Sequence, residues 1–245
     1  MRSKNITLDH EQIIEELRTE NELKTKWLSL IAHDFKGLSS NIKFLLDAMD
    51  DQSITPEVFM SMLPELKQIS EKNSKTIQST FAWVNAQTCG FKIDKKPILI
   101  HNLYLEIVEN FDKAIAAKEL SFEYKGNTSL AVNTDRFLLR FIIKELVENS
   151  IKYSNNGDVI ELIANSESDI ISITLKDNGV GMKSSRLNTI GTLNNAPYTG
   201  TMQEKGAGLS LVIVKDFVEM LGGTISISSV EGVGTKVKIE LRDND

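Results

Sequence analysis

Apolar residues recur in alternating steps of three and four near the start of the chain: Ile14, Leu17, Leu28, Ile31, Phe35, Leu38, Ile42, Leu45 and Met49, with Asn21 and Lys24 occupying the same seam. This period predicts a long helix that pairs through a heptad stripe, in which polar seam positions restrict register at some cost in stability. The natural product is a homodimer, although the same pattern fits an amphipathic helix packed on its own domain. The stretch DDQSITP breaks the helix, with Thr55 as N-cap before Pro56. Phe59, Leu63, Leu66, Ile69, Ile77, Phe81 and Val84 then predict a second helix, which has to start late or kink at Pro64. Two such helices make a hairpin, and two hairpins make a four-helix bundle.

From about Gly90 the period changes. Short strand-like runs (ILI, LSFEY, LAVN, DVIELIA, IISITLKD, TISISS, TKVKIEL) alternate with helical runs at 102–117, 135–154 and 207–221, the pattern of an α/β domain. The predicted organisation is an N-terminal coiled-coil helix over 1–25, a helical-hairpin dimerisation domain over 26–90, and an α/β domain over 91–245. Between Asn188 and Lys205 the chain is rich in Asn, Thr and Gly with little periodicity, as in a functional lid or a disordered loop.

Composition narrows the ligands. With 245 residues, 41% hydrophobic and 25% charged, the chain has material for two modest domains, and its net charge of −6 opposes a general grip on nucleic acid or anionic lipid. The single cysteine, Cys89, has no disulfide partner within the chain and suits a reducing compartment. The opening MRSKNITLDHEQ has no apolar signal region and no segment approaches a bilayer span, so the expectation is a cytoplasmic chain without direct membrane contact.

Four stretches carry candidate chemistry. In FIIKELVENSIKYS, the residues Glu145, Asn149 and Lys152 are spaced i, i+4 and i+7, so a carboxylate, an amide and an ammonium share one helix face. That set suits a metal-bound phosphate chain, with Asn149 as direct Mg²⁺ ligand and Glu145 nearby; an ordinary solvated face has the same pattern. In DNGVGM, after a strand, Gly179 and Gly181 let the backbone approach a flat ligand while Asp177 accepts a hydrogen bond from an exocyclic amine such as adenine's. A plain turn uses the same residues. KGAGLSL places Gly206 and Gly208 at a helix start, where free N–H groups attract phosphate. EGVGT, between two strands, can be simply a hairpin turn. Upstream, with Leu28 and Phe35 at a positions and Ile31 at d, His33 falls at f and points away from the seam.

In order and together, the four downstream stretches resemble the N, G1, G2 and G3 boxes of the ATPase superfamily that includes histidine kinases, type II topoisomerases and heat-shock chaperone ATPases. LSLIAHDFK resembles the H box of two-component sensor histidine kinases, and FAWVNAQ and EKGAGLSLVIVKDFVEMLGGTI are similar to the same family. The resemblance implies a helical-hairpin dimerisation domain followed by an α/β sandwich that binds ATP and Mg²⁺. It implies phosphorylation of His33, assisted by Asp34 and Glu145, and transfer to an aspartate of a response-regulator receiver domain. It assigns nucleotide contacts to Asn149, Lys152, Tyr153, Asp177, Gly179, Gly181, Lys205, Gly206, Gly208 and Leu209, with Asn149 and Glu145 at the metal. A degenerate, non-catalytic ATP-binding module is the alternative, motivated by Ser210 in the second glycine pair and Ile190 near the place of a phenylalanine box. Gly37 and Leu38 stand where the H box usually has Thr or Asn and then Pro, which implies weak phosphatase activity.

Overall fold

The computed structural model describes residues 43–44, 46–51, 53–87, 92–187, 189–190, 200–201 and 210–242. Contacts divide the chain into two compact units, Met1–Thr88 and Cys89–Asp245.

In the first unit, residues 46–50 are helical and a 32-residue helix follows, α1 (Pro56–Gln87). Pro56 sits at the first helical position, where its missing N–H costs nothing, and Thr55 accepts a hydrogen bond from the Val58 N–H at 3.4 Å, the predicted cap. Of the two alternatives at Pro64, a late start or a kink, the late start does not occur, because the helix begins at Pro56 and continues through Pro64. One forfeited backbone bond is tolerated between long helical flanks. Val58, Met60, Leu63, Phe81 and Val84 remain exposed on α1.

The second unit follows the order β1 (Lys95–Leu99), α2 (Ile100–Ala117), β2 (Ser121–Gly126), β3 (Ala131–Asp135), α3 (Arg136–Tyr153), β4 (Val159–Glu167), β5 (Ile170–Asp177), α4 (Ser184–Leu187), α5 (Ser210–Met220), β6 (Thr224–Val230) and β7 (Gly234–Arg242). Five strands form one sheet in the order β2-β4-β5-β7-β6, and β1 pairs with β3 in a separate ribbon. Only β2 and β4 are parallel in the large sheet, as their connection through β3 and α3 requires. The run IISITLKD is β5 to the residue.

Alternation along the strands sends Ile160, Leu162, Ala164, Ile171, Ile173, Leu175, Val237, Ile239 and Leu241 into the core, with apolar stripes of α2, α3 and α5. Phe141 of α3 meets Phe217 of α5 edge-on, with ring centroids 4.9 Å apart. The other sheet face is polar: Glu161 pairs with Lys125 and, at 2.8 Å, with Lys176 on the neighbouring strands. The unit is thus a two-layer α/β sandwich, as the alternating pattern predicts. At the start of α3, the Asp135 carboxylate accepts from the N–H groups of Phe137 and Leu138 at 2.9 and 3.1 Å, so this helix begins one residue later than the 135–154 expectation. Among the described residues no helix is long and apolar enough to cross a membrane.

Candidate functional site

Asp177 ends β5 between Ile160 of β4 and Thr235 of β7, so the central strands deliver its carboxylate to one edge of the sandwich. Ser150 of α3 donates its hydroxyl to Asp177 Oδ2 at 3.0 Å, and the N–H groups of Gly179 and Thr235 donate to Oδ1 at 3.2 and 3.1 Å. The residue is 8% exposed. Burial raises its carboxyl above the usual value, and the Ser150, Gly179 and Thr235 bonds oppose that rise. A carboxylate has about four lone-pair sites, so three donors leave capacity for a further one from a ligand.

The DNGVGM turn is laced to both sides of this acceptor. The Val180 N–H donates to Tyr153 O at the end of α3 at 3.0 Å, and Val180 O accepts from the Gly232 N–H of the β6–β7 turn at 2.8 Å. A Cβ at Gly179 would stand 2.4 Å from Tyr153 O, so only glycine admits this approach. Gly181 has φ +60°, and a Cβ there would lie 1.9 Å from Val230 O. Gly181→Ala is therefore expected to lower unfolding stability by about 1 kcal/mol or more, read as a lower denaturant midpoint. An unchanged midpoint would contradict this packing.

On α3 the i, i+4, i+7 face divides in character. Glu145 is buried at 5% exposure; burial raises its carboxyl above the usual value, opposed by a hydrogen bond from the Ser210 side chain and by the nearby Lys144 ammonium, which lies 3.6 Å away. The same bond brings Glu145 to the first residue of α5. One turn further, Asn149 Nδ2 is shielded from solvent with no hydrogen-bond partner, a condition that costs about 1–3 kcal/mol unless a ligand supplies the partner. Lys152 Nζ lies 5.0 Å from the centroid of the Tyr153 ring. The face is not the plain solvated one that the spacing equally allowed.

His33, Asp34, Lys205, Gly206, Gly208 and Leu209 lie outside the described residues. Sequence reasoning missed Ser150, which neighbours Asn149, and the backbone of Thr235, the last residue of EGVGT. That stretch is both a hairpin turn and a donor to Asp177. Ser210, read as a weakened glycine position, instead holds Glu145. Ile190 is buried and its carbonyl accepts from Lys215 Nζ at 3.3 Å. A buried acceptor under a glycine turn and an amide NH₂ awaiting an acceptor beside a buried carboxylate fit adenine and the oxygens of a Mg²⁺-bound phosphate chain respectively.

Residues 134–245 match the family model described as histidine kinase-, DNA gyrase B-, and HSP90-like ATPase. The sensor histidine kinase YvrG of Bacillus subtilis is 27% identical over 243 residues, covering 94% of this chain and 41% of that protein. The autoinducer 2 sensor kinase/phosphatase LuxQ of Vibrio vulnificus is 34% identical over 148 residues, covering 57% of this chain and 17% of that protein. The chain thus spans less than half the length of these curated relatives. Among solved structures, the Acinetobacter baumannii histidine kinase AdeS superposes with a TM-score of 0.68 at 18% identity, covering 87% of this chain and 98% of that one. The histidine kinase ThkA, solved in complex with the response regulator protein TrrA, gives a TM-score of 0.68 at 17% identity, covering 87% and 60%. At such identities these neighbours establish the fold. The glycine-laced acceptor, the family match and the relatives agree: residues 134–245 are an ATPase domain of the histidine kinase, gyrase B and HSP90 type, in a chain similar to sensor histidine kinases over nearly its whole length.

Proposed function

We propose that the chain is the kinase core of a two-component signalling protein, which phosphorylates His33 from Mg·ATP and passes the phosphoryl group to an aspartate of a response-regulator receiver domain. The Asp177 cradle carries this reading: a buried carboxylate with one acceptor site left, walled by Gly179 and Gly181, suits the exocyclic amine and flat face of adenine. Asn149 and Lys152 then face the phosphates, with Tyr153 and, from the sequence, Lys205, Gly206, Gly208 and Leu209 completing the nucleotide contacts. Asn149 and Glu145 would hold Mg²⁺ beside the phosphates, where the ion would supply charge neutralisation for the transferring group.

At His33 a ring nitrogen attacks the γ-phosphorus. The N–P bond forms as the bond from that phosphorus to the β–γ bridging oxygen breaks, and ADP leaves with the bond's electron pair. Asp34 accepts a hydrogen bond from the other ring nitrogen, leaving the attacking one free. The exposed apolar residues of α1 support burial against a second copy, in the four-helix bundle read from the sequence. AdeS aligns with 87% of this chain, more than residues 89–245 alone supply, which supports a helical dimerisation domain before the sandwich. The solved ThkA complex supports a receiver domain as partner, and the reaction belongs to the cytoplasm, where its ATP is made.

The test is incubation of the full chain with ATP labelled at the γ-phosphate. The expected result is label on the protein that survives base and is lost in acid, as an N–P bond requires. Free phosphate without labelled protein would make the chain an ATPase with Glu145 as base; bound nucleotide with neither would make it a non-catalytic module.

A further inference from the structure

Consecutive carbonyls at the end of α3 are claimed by three distant parts of the chain. Tyr153 O holds the glycine turn through Val180, while Lys152 O accepts from the Thr201 N–H at 3.0 Å. The Thr201 hydroxyl lies 2.7 Å from Ser154 O and 3.2 Å from Lys152 O. Lys118, just after α2, is 3% exposed, and its Nζ lies 2.8 Å from Ile151 O, 3.2 Å from Lys152 O and 3.5 Å from Ser154 O. The same ammonium donates to Thr201 Oγ1 at 2.8 Å. The hydroxyl thus accepts from Lys118 and donates its own hydrogen bond to Ser154 O. A cation on these carbonyls also opposes the negative end of the helix dipole.

We infer that Lys118 and Thr201 form a positioning clasp for the nucleotide. Neither is among the residues assigned to the proposed ligand. Together they fix the last turn of α3, which carries Lys152 and Tyr153 and, through Tyr153 O, anchors the turn that holds Gly179 beside Asp177. The inference rests on the ATP reading above. If the turn shifts, the ammonium and the glycine wall shift with it, so affinity falls although no ligand contact has been removed.

The test is calorimetric titration of the full chain with Mg·ADP. Thr201→Val keeps the shape and the N–H but deletes the hydroxyl, whereas Thr201→Ser keeps the hydroxyl and deletes a methyl group. For the loss of a bond of ordinary strength, Thr201→Val is expected to raise Kd about fivefold, with Thr201→Ser within about twofold of wild type. Lys118→Met is expected to match Thr201→Val, and the double variant to be no more than about twofold worse than either, because both break one network. Should Lys118→Met fail to fold, the two Thr201 variants still decide. Wild-type affinity in Thr201→Val would overturn the clasp while leaving the ATP reading intact, and a Ser variant as weak as the Val variant would reduce the contact to packing. A wild-type chain that binds no ADP would overturn the ATP reading and the clasp with it.

Discussion

Asp177→Asn is expected to weaken ADP binding about ten- to a hundredfold, the loss of a charge-assisted hydrogen bond worth roughly 1.5 to 3 kcal/mol. The amide has one acceptor oxygen, while the site presents the Ser150 hydroxyl and the N–H groups of Gly179 and Thr235 before any ligand arrives. With its oxygen toward the two N–H groups the amide turns its NH₂ to the Ser150 hydroxyl, which can rotate to accept, and the adenine amine then meets a donor where the carboxylate offered an acceptor. The pH profile separates this account from a general loosening. Burial raises the Asp177 carboxyl above its ordinary value of 3.8, and the ligand's amine requires the ionised form. Wild-type affinity should therefore be full well above the raised value and fall as pH drops through it, at a higher pH than for an exposed aspartate. The Asn variant should not show that acid-side fall. Titration of both proteins across the mildly acidic range measures this, and equal affinities would remove adenine recognition from Asp177.

His33→Gln is expected to abolish phosphoprotein to the background of the assay while ADP affinity stays within about twofold of wild type. Glutamine offers no nitrogen that forms the N–P bond, so the chemical step has no slower version to fall back on. Binding is expected to be spared because the proposed nucleotide contacts come from α3, β5 and the glycine turns. An f position also contributes little to a heptad seam, so the helix is expected to persist. The measurement pairs a labelling assay with calorimetry on the same preparation. Retained label would place the acceptor elsewhere; lost binding together with lost label would mean that the substitution had damaged the fold.

The parts of this molecule that local physics decides were legible in the sequence. IISITLKD reads as a strand because its apolar residues and bounding turn leave little choice, and α3 follows from helical periodicity, apart from Asp135, which the structure places at its cap. Asp177 and the two glycines were found because a carboxylate and close-approach residues share six positions. Of the two readings at Pro64, the late start fails because the long flanks carry the helix through one missing N–H. Ser150 and Thr235 were missed because their work consists of hydrogen bonds to a strand end made only after the sheet assembles. Lys118 gave no signal at all: its partner Thr201 lies 83 positions away, and nothing in AIAAKEL distinguishes a buried lysine from a solvated one. The strand order β2-β4-β5-β7-β6 is likewise a tertiary fact that periodicity does not encode.

The chain has three histidines, which permits a direct test of the central claim. His10 lies in the polar N-terminal stretch; His101, in the first turn of α2, stacks with Tyr104 at 6.0 Å and meets Tyr124 edge-on at 5.0 Å. The measurement is tandem mass spectrometry of wild-type protein after brief reaction with Mg·ATP, digested and kept at neutral to mildly basic pH so that N–P bonds survive. The account predicts the added phosphate on His33, within the peptide that contains LSLIAHDFK. Phosphate on His10, on His101 or on a hydroxyl side chain, with His33 unmodified, would contradict it.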